Sequence, residues 1–160
     1  MCSQALANFF IEKANEEKIN ITNMQLQKLM FIGYGWTLSL TGNDLTDEEG
    51  FEAWQHGPVI PSIYHELKHH GDRSITNYAT DYDLIDNIVY IPKIKTQQNK
   101  LILDKVWSTY KNFNAWSLRD LTHQNDTPWK QVYKQGISNI KIDSTFVNQY
   151  YAKYLNDLLG

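Results

Sequence analysis

Both ends of one helix are marked in the sequence between Thr22 and Gly42. Thr22-Asn23-Met24-Gln25 is a capping box, in which the threonine hydroxyl and the glutamine amide each satisfy an orphan backbone N–H. Gly42 closes the other end, because glycine takes the left-handed C′ conformation at little cost. Leu26, Leu29, Met30, Gly33 and Thr37 fall along one face of the segment between them. Gly33-Tyr34-Gly35 lies inside this helix. There the glycines permit close helix packing rather than cradle a phosphate.

Helical spacing recurs along the chain. Leu6, Phe9, Phe10 and Ala14 predict a helix over residues 3–17. Pro61 suits the first turn of a helix over 61–70 that stops at Gly71. Leu103, Val106, Trp107 and Tyr110 give the stripe of a helix over 96–112, and Ser117 opens a short one. Asp126-Thr127-Pro128-Trp129 opens another that Gly136 ends. The last helix begins at Asp143 or Ser144, with Phe146, Val147, Tyr150, Tyr151, Tyr154, Leu155 and Leu158 on its apolar face. Residues 51–55 alternate like a short strand, broken by His56-Gly57-Pro58. Residues 75–78 and 88–91 read as strands that pair with it. The expected fold is mainly α: one compact domain over residues 1–160, with a small antiparallel β element around 51–55 and 75–91.

A chain of 160 residues can bury a real core without disulfides or a structural metal. Its single cysteine, Cys2, forms no internal disulfide, which points to a reducing, cytoplasmic setting. No charged n-region with an apolar run opens the chain, and no stretch approaches the ~18 apolar residues of a membrane span. The formal net charge of −3, without any Lys/Arg run, argues against a protein built to neutralise phosphates. No nucleic-acid partner is expected. Charge and composition leave the oligomeric state open.

One string carries a catalytic spacing. His65-Glu66-Leu67-Lys68-His69 is an H-E-x-x-H pattern, in which histidines at i and i+4 reach one zinc and the glutamate polarises a bound water. Lys68 places a cation inside the pattern, and a third ligand would have to come from His56, His70, His123 or a distant carboxylate. A surface helix with solvated His and Lys is the preferred account of the string. Cys2 has no recognisable base partner, and no nucleophile elbow, Walker or dinucleotide fingerprint is present. Neither a metal, a cofactor nor a catalytic set is expected, with a zinc-dependent hydrolase at His65, Glu66 and His69 as the alternative from another class.

Two further strings exceed what propensity explains: Trp54-Gln55-His56-Gly57-Pro58-Val59, and Leu118-x-x-Leu121-Thr122-His123 followed by Pro128-Trp129. Each joins a histidine, a proline and a large aromatic near a turn. The structural account packs Trp54 and Trp129 in the core and uses Pro58 to set a turn. With Leu26-Gln27-Lys28-Leu29-Met30-Phe31, Tyr34 and Ile63-Tyr64-His65-Glu66-Leu67, these strings resemble the Panacea, or SocA-like, domain of bacterial and phage antitoxins and phage-associated proteins. The resemblance spans roughly residues 26–129. In that family the helix after the proline carries a tyrosine and a glutamate without paired histidines, so the zinc string looks accidental.

The resemblance implies an antitoxin that binds a cognate toxin directly and blocks it. Toxins of such systems include nucleotide-modifying enzymes and translation inhibitors. It also admits a proteolytic adaptor acting with a protease, and a phage-encoded inhibitor of a host factor. Some members add a DNA-binding module; none is expected here. Tyr34, Trp54, His56, Tyr64, His123 and Trp129 are the expected partner contacts, and Gln27, Lys28, Gly57, Pro58 and Pro128 the framework around them.

Overall fold

A computed structural model describes residues 2–159. It is mainly α-helical, with seven α-helices and two small antiparallel two-stranded sheets among the described residues. Helices α1 (Ser3–Glu17) and α2 (Asn23–Thr41) lie where the sequence places them. Both halves of the capping box are formed: Gln25 N donates to Thr22 Oγ1 at 3.3 Å and Thr22 N to Gln25 Oε1 at 2.8 Å. Gly42 (φ 76°) ends α2, its N–H bonded to Leu38 O.

α2 is the axis of the molecule. From Leu26 to Thr37 every residue is buried, so the helix is covered on all sides rather than along one stripe. Helix α1 packs on it, as do α4 (Gln97–Tyr110) and α7 (Ser144–Leu159). The two glycines let them come close. A Cβ on Gly33 would stand 2.7 Å from a Leu103 methyl and 3.0 Å from the Phe10 ring, and one on Gly35 would run into the Tyr151 ring. No helix of the described residues is long and apolar enough to cross a membrane.

The strands pair differently from the sequence-based expectation. β1 (Glu52–Trp54) pairs with β2 (Gly57–Val59), not with residues 75–78 or 88–91, because Gly57 at φ 113° lets the chain reverse across Gln55-His56 alone. Residues 140–142 cover the outer edge of β1, through Ala53 N to Ile140 O (2.8 Å) and Ile142 N to Phe51 O (2.9 Å). β3 (Asp81–Asp83) and β4 (Ile88–Tyr90) form a separate hairpin. Residues 75–78 form no strand; Ile75 is a buried anchor whose N–H bonds Ile21 O at 2.8 Å.

Three helix ends also differ. α3 (Pro61–Leu67) gives way to a 3₁₀ turn over Lys68–His70 before Gly71 stops it. α5 (Ala115–His123) starts two residues ahead of Ser117, because the Asn114 side chain accepts from Ser117 N at 2.8 Å and is the true cap. α6 (Pro128–Val132) ends well before Gly136, since Tyr133 turns extended (ψ 132°) and lays its ring on Trp129.

Candidate functional site

The N-terminal half of α2, the β1–β2 hairpin, α3 and α5 enclose a cleft of about 680 Å³. Its floor is made by two neighbouring residues of α2. Gln27 Oε1 accepts from Ile60 N at 2.9 Å, and Lys28 Nζ donates to Pro58 O at 3.0 Å. Together they tie the β2 backbone to the central helix. Gly57 is required beside them: a Cβ there would stand 2.6 Å from Lys28 Cε and 2.9 Å from Thr122 Oγ1. Lys28 is only 1% exposed. Burial, reinforced by the positive charge of Arg119, pulls its amine down to about 7.

Aromatic rings form the walls. Trp54, half-buried, donates from Nε1 to Glu52 Oε2 at 2.8 Å and meets Tyr64 edge-on, centroids 4.9 Å apart. His56 is exposed at the hairpin turn and stands edge-on to Trp116 at 6.1 Å. Trp116 is 59% exposed, with the Arg119 guanidinium 5.5 Å from its ring. Met24 adds an apolar side chain, and Lys68 and Asp72 charged ones.

A stacked layer supports the hairpin. Trp129 lies between His123 (3.6 Å, 14°) and Tyr133 (4.4 Å, 15°), and its Nε1 donates to Trp54 O at 2.6 Å. Pro128 opens α6 at a position where its missing N–H costs nothing. Thr127 caps that helix and donates to Thr122 O at 2.7 Å. Burial, with Arg119 and Lys28 adding to it, pulls His123 down to about 4, so its ring is neutral at pH 7. Its Nε2 and Arg119 Nε have no hydrogen-bond partner among the described residues.

Of the six expected contacts, Trp54, His56 and Tyr64 line the cleft. Tyr34 and Trp129 are buried at 3% and 4%, so neither can meet a partner in this fold. Tyr34 packs on Phe51, centroids 5.4 Å apart, and burial raises its hydroxyl well above the usual range. His123 stands behind the cleft, stacked on Trp129. Trp116 and Arg119 escaped the sequence reading, which began α5 one residue too late to include Trp116. The Asn114 cap was the signal that places them on its first turns.

The zinc string is not assembled. The helix tightens to 3₁₀ between His65 and His69. His65 faces Trp54 and Tyr64, while His69 lies against His70. The Glu66 carboxylate accepts from Thr80 N (2.7 Å) and Thr80 Oγ1 (3.2 Å). No group of three or more His, Cys, Asp or Glu among the described residues could hold a metal ion.

Residues 26–130 match the family described as antitoxin SocA-like, Panacea domain. The chain is also 30% identical over 131 residues to antitoxin SocA of Caulobacter vibrioides (strain NA1000 / CB15N), an alignment covering 81% of this chain and 69% of that protein. No solved structure matches.

Proposed function

The chain belongs to the SocA-like Panacea antitoxin family, and we propose that it is the antitoxin of a toxin–antitoxin pair, acting in the cytoplasm as one domain over residues 1–160 and neutralising a toxin protein by binding it. The cleft is the contact. It gathers His56, Trp54, Tyr64 and Trp116 over a fixed floor, and leaves Trp116 largely in water. That exposed indole is the observation that carries the reading. Protein interfaces concentrate their energy in Trp, Tyr and Arg anchors, and Arg119 already stands over this ring. Arg119 over Trp116, and Lys68 beside Asp72, suit the rim of the cleft to an acidic segment of the toxin.

The action is stoichiometric binding, not catalysis. Co-expression with the product of the adjacent gene tests it: this protein should restore growth that the neighbour alone arrests, and the two should co-purify. Trp116→Ala should weaken the complex about thirtyfold or more, as loss of a hot-spot aromatic does, without moving the melting temperature. Loss of the neighbour in place of a complex would replace inhibition with delivery to a protease. A harmless neighbour, or rescue with neither a complex nor a change in its abundance, would end the antitoxin reading.

A further inference from the structure

The β3–β4 hairpin stands apart from the core. Its tip bears Leu84 and Ile85, exposed at 86% and 94%, and Tyr82, Ile88, Val89 and Tyr90 along its strands are exposed as well. Such a contiguous apolar patch on a water-facing element marks a contact surface.

The hairpin is also held firmly. At its feet the buried Asn8 side chain donates to Ala79 O (2.8 Å) and Pro92 O (3.0 Å) and accepts from Ala79 N (2.7 Å). Glu66 holds Thr80 N from α3. At the tip, Asp83 Oδ1 accepts from Ile85 N (2.8 Å) and Asp86 N (3.1 Å), and the Tyr82 hydroxyl bonds the Asn87 side chain. A finger fixed at both ends loses little conformational freedom on docking.

Charge selects what it docks into. Asp81, Asp83 and Asp86 flank the apolar side chains, and residues 74–92 contain no Lys or Arg. A second copy would set two such triads against each other, and an anionic lipid surface would repel them. We propose that the β3–β4 hairpin is a docking finger that inserts Leu84 and Ile85 into an apolar depression rimmed by Lys and Arg on the toxin. This rests on the antitoxin reading and adds a second contact, opposite in charge to the cleft.

The test measures affinity for the purified adjacent-gene product at two salt concentrations. Leu84→Ser with Ile85→Ser should weaken binding at least about thirtyfold at an unchanged melting temperature. Asp81→Asn, Asp83→Asn and Asp86→Asn together keep the turn's acceptors, and should slow association about tenfold and flatten its salt dependence. If wild type binds and both variants bind within twofold of it, the finger is wrong and the antitoxin reading stands. If wild type forms no complex, both fall. Dimerisation of the free protein, or flotation with neutral phosphatidylcholine vesicles, that the serine variant abolishes would assign the tip to another occupant and overturn the proposal.

Discussion

The two β-hairpins share one topology and have opposite surroundings. β1–β2 is enclosed: Gln27 and Lys28 bond its backbone from α2, Trp129 bonds it from α6, and residues 140–142 cover its outer edge. β3–β4 has open edges, and its support comes at its feet, from Asn8 and Glu66. A lone two-stranded hairpin is marginal in water, so each needs outside help. The kind of help sets what each can do. Bonds to Pro58 O and Ile60 N hold the cleft floor in one geometry, while bonds at the feet of β3–β4 leave its apolar tip free to enter something else.

If the first hairpin is fixed by close packing, adding a side chain at Gly57 should be the most damaging change to it. Gly57→Ala meets two penalties together: backbone strain at φ 113°, and a Cβ against the buried Lys28 stem and Thr122. Strain and overpacking together predict a loss of about 2–5 kcal/mol in denaturant unfolding. A loss under ~1 kcal/mol would mean that β1–β2 yields as readily as its counterpart.

Asn8→Ala should strike the second hairpin alone. It leaves a buried N–H and two carbonyls without their partner, at about 2–3 kcal/mol. Hydrogen exchange should quicken over residues 79–92 and stay unchanged over 52–60. Equal quickening in both would show that the two hairpins open as one unit.

The same contrast explains what the sequence disclosed. α1 and α2 were legible because their signals are local: a capping box, a closing glycine, apolar spacing. Strand pairing was not, because three alternating residues do not encode their partner, and the register turns on Gly57, whose need for glycine comes from a lysine 29 positions earlier in the chain. Trp54, His56 and Tyr64 were found through their strings, yet burial separated Tyr34 and Trp129 from them, and side-chain exposure is a property of the assembled core. Trp116 is not legible, because Asn114 and Ser117 are both good cap residues and only the fold shows that Asn114 is the one used. The hairpin tip drew no notice, since apolar residues in a polar stretch read as strand until their surroundings are known.

The last effect is a matter of sign. Lys28 titrates near 7 when folded and at its ordinary 10.5 when unfolded. Between those values the unfolded chain binds more protons, so wild-type stability rises with pH across that window by at most about 1.4 kcal/mol per unit. Below pH 7 both states hold the proton and the slope vanishes. Lys28→Met keeps the apolar stem, loses a hydrogen bond to Pro58 O of about 1 kcal/mol, and removes the buried charge. The stability of the variant relative to wild type should therefore fall by about 2–3 kcal/mol between pH 6 and pH 9, while the Leu84→Ser/Ile85→Ser variant keeps the wild-type slope. Melting curves at the two pH values decide it. A constant gap between wild type and Lys28→Met would show that the amine stays hydrated in the folded state, and that the cleft floor is open to water in the way the second hairpin is.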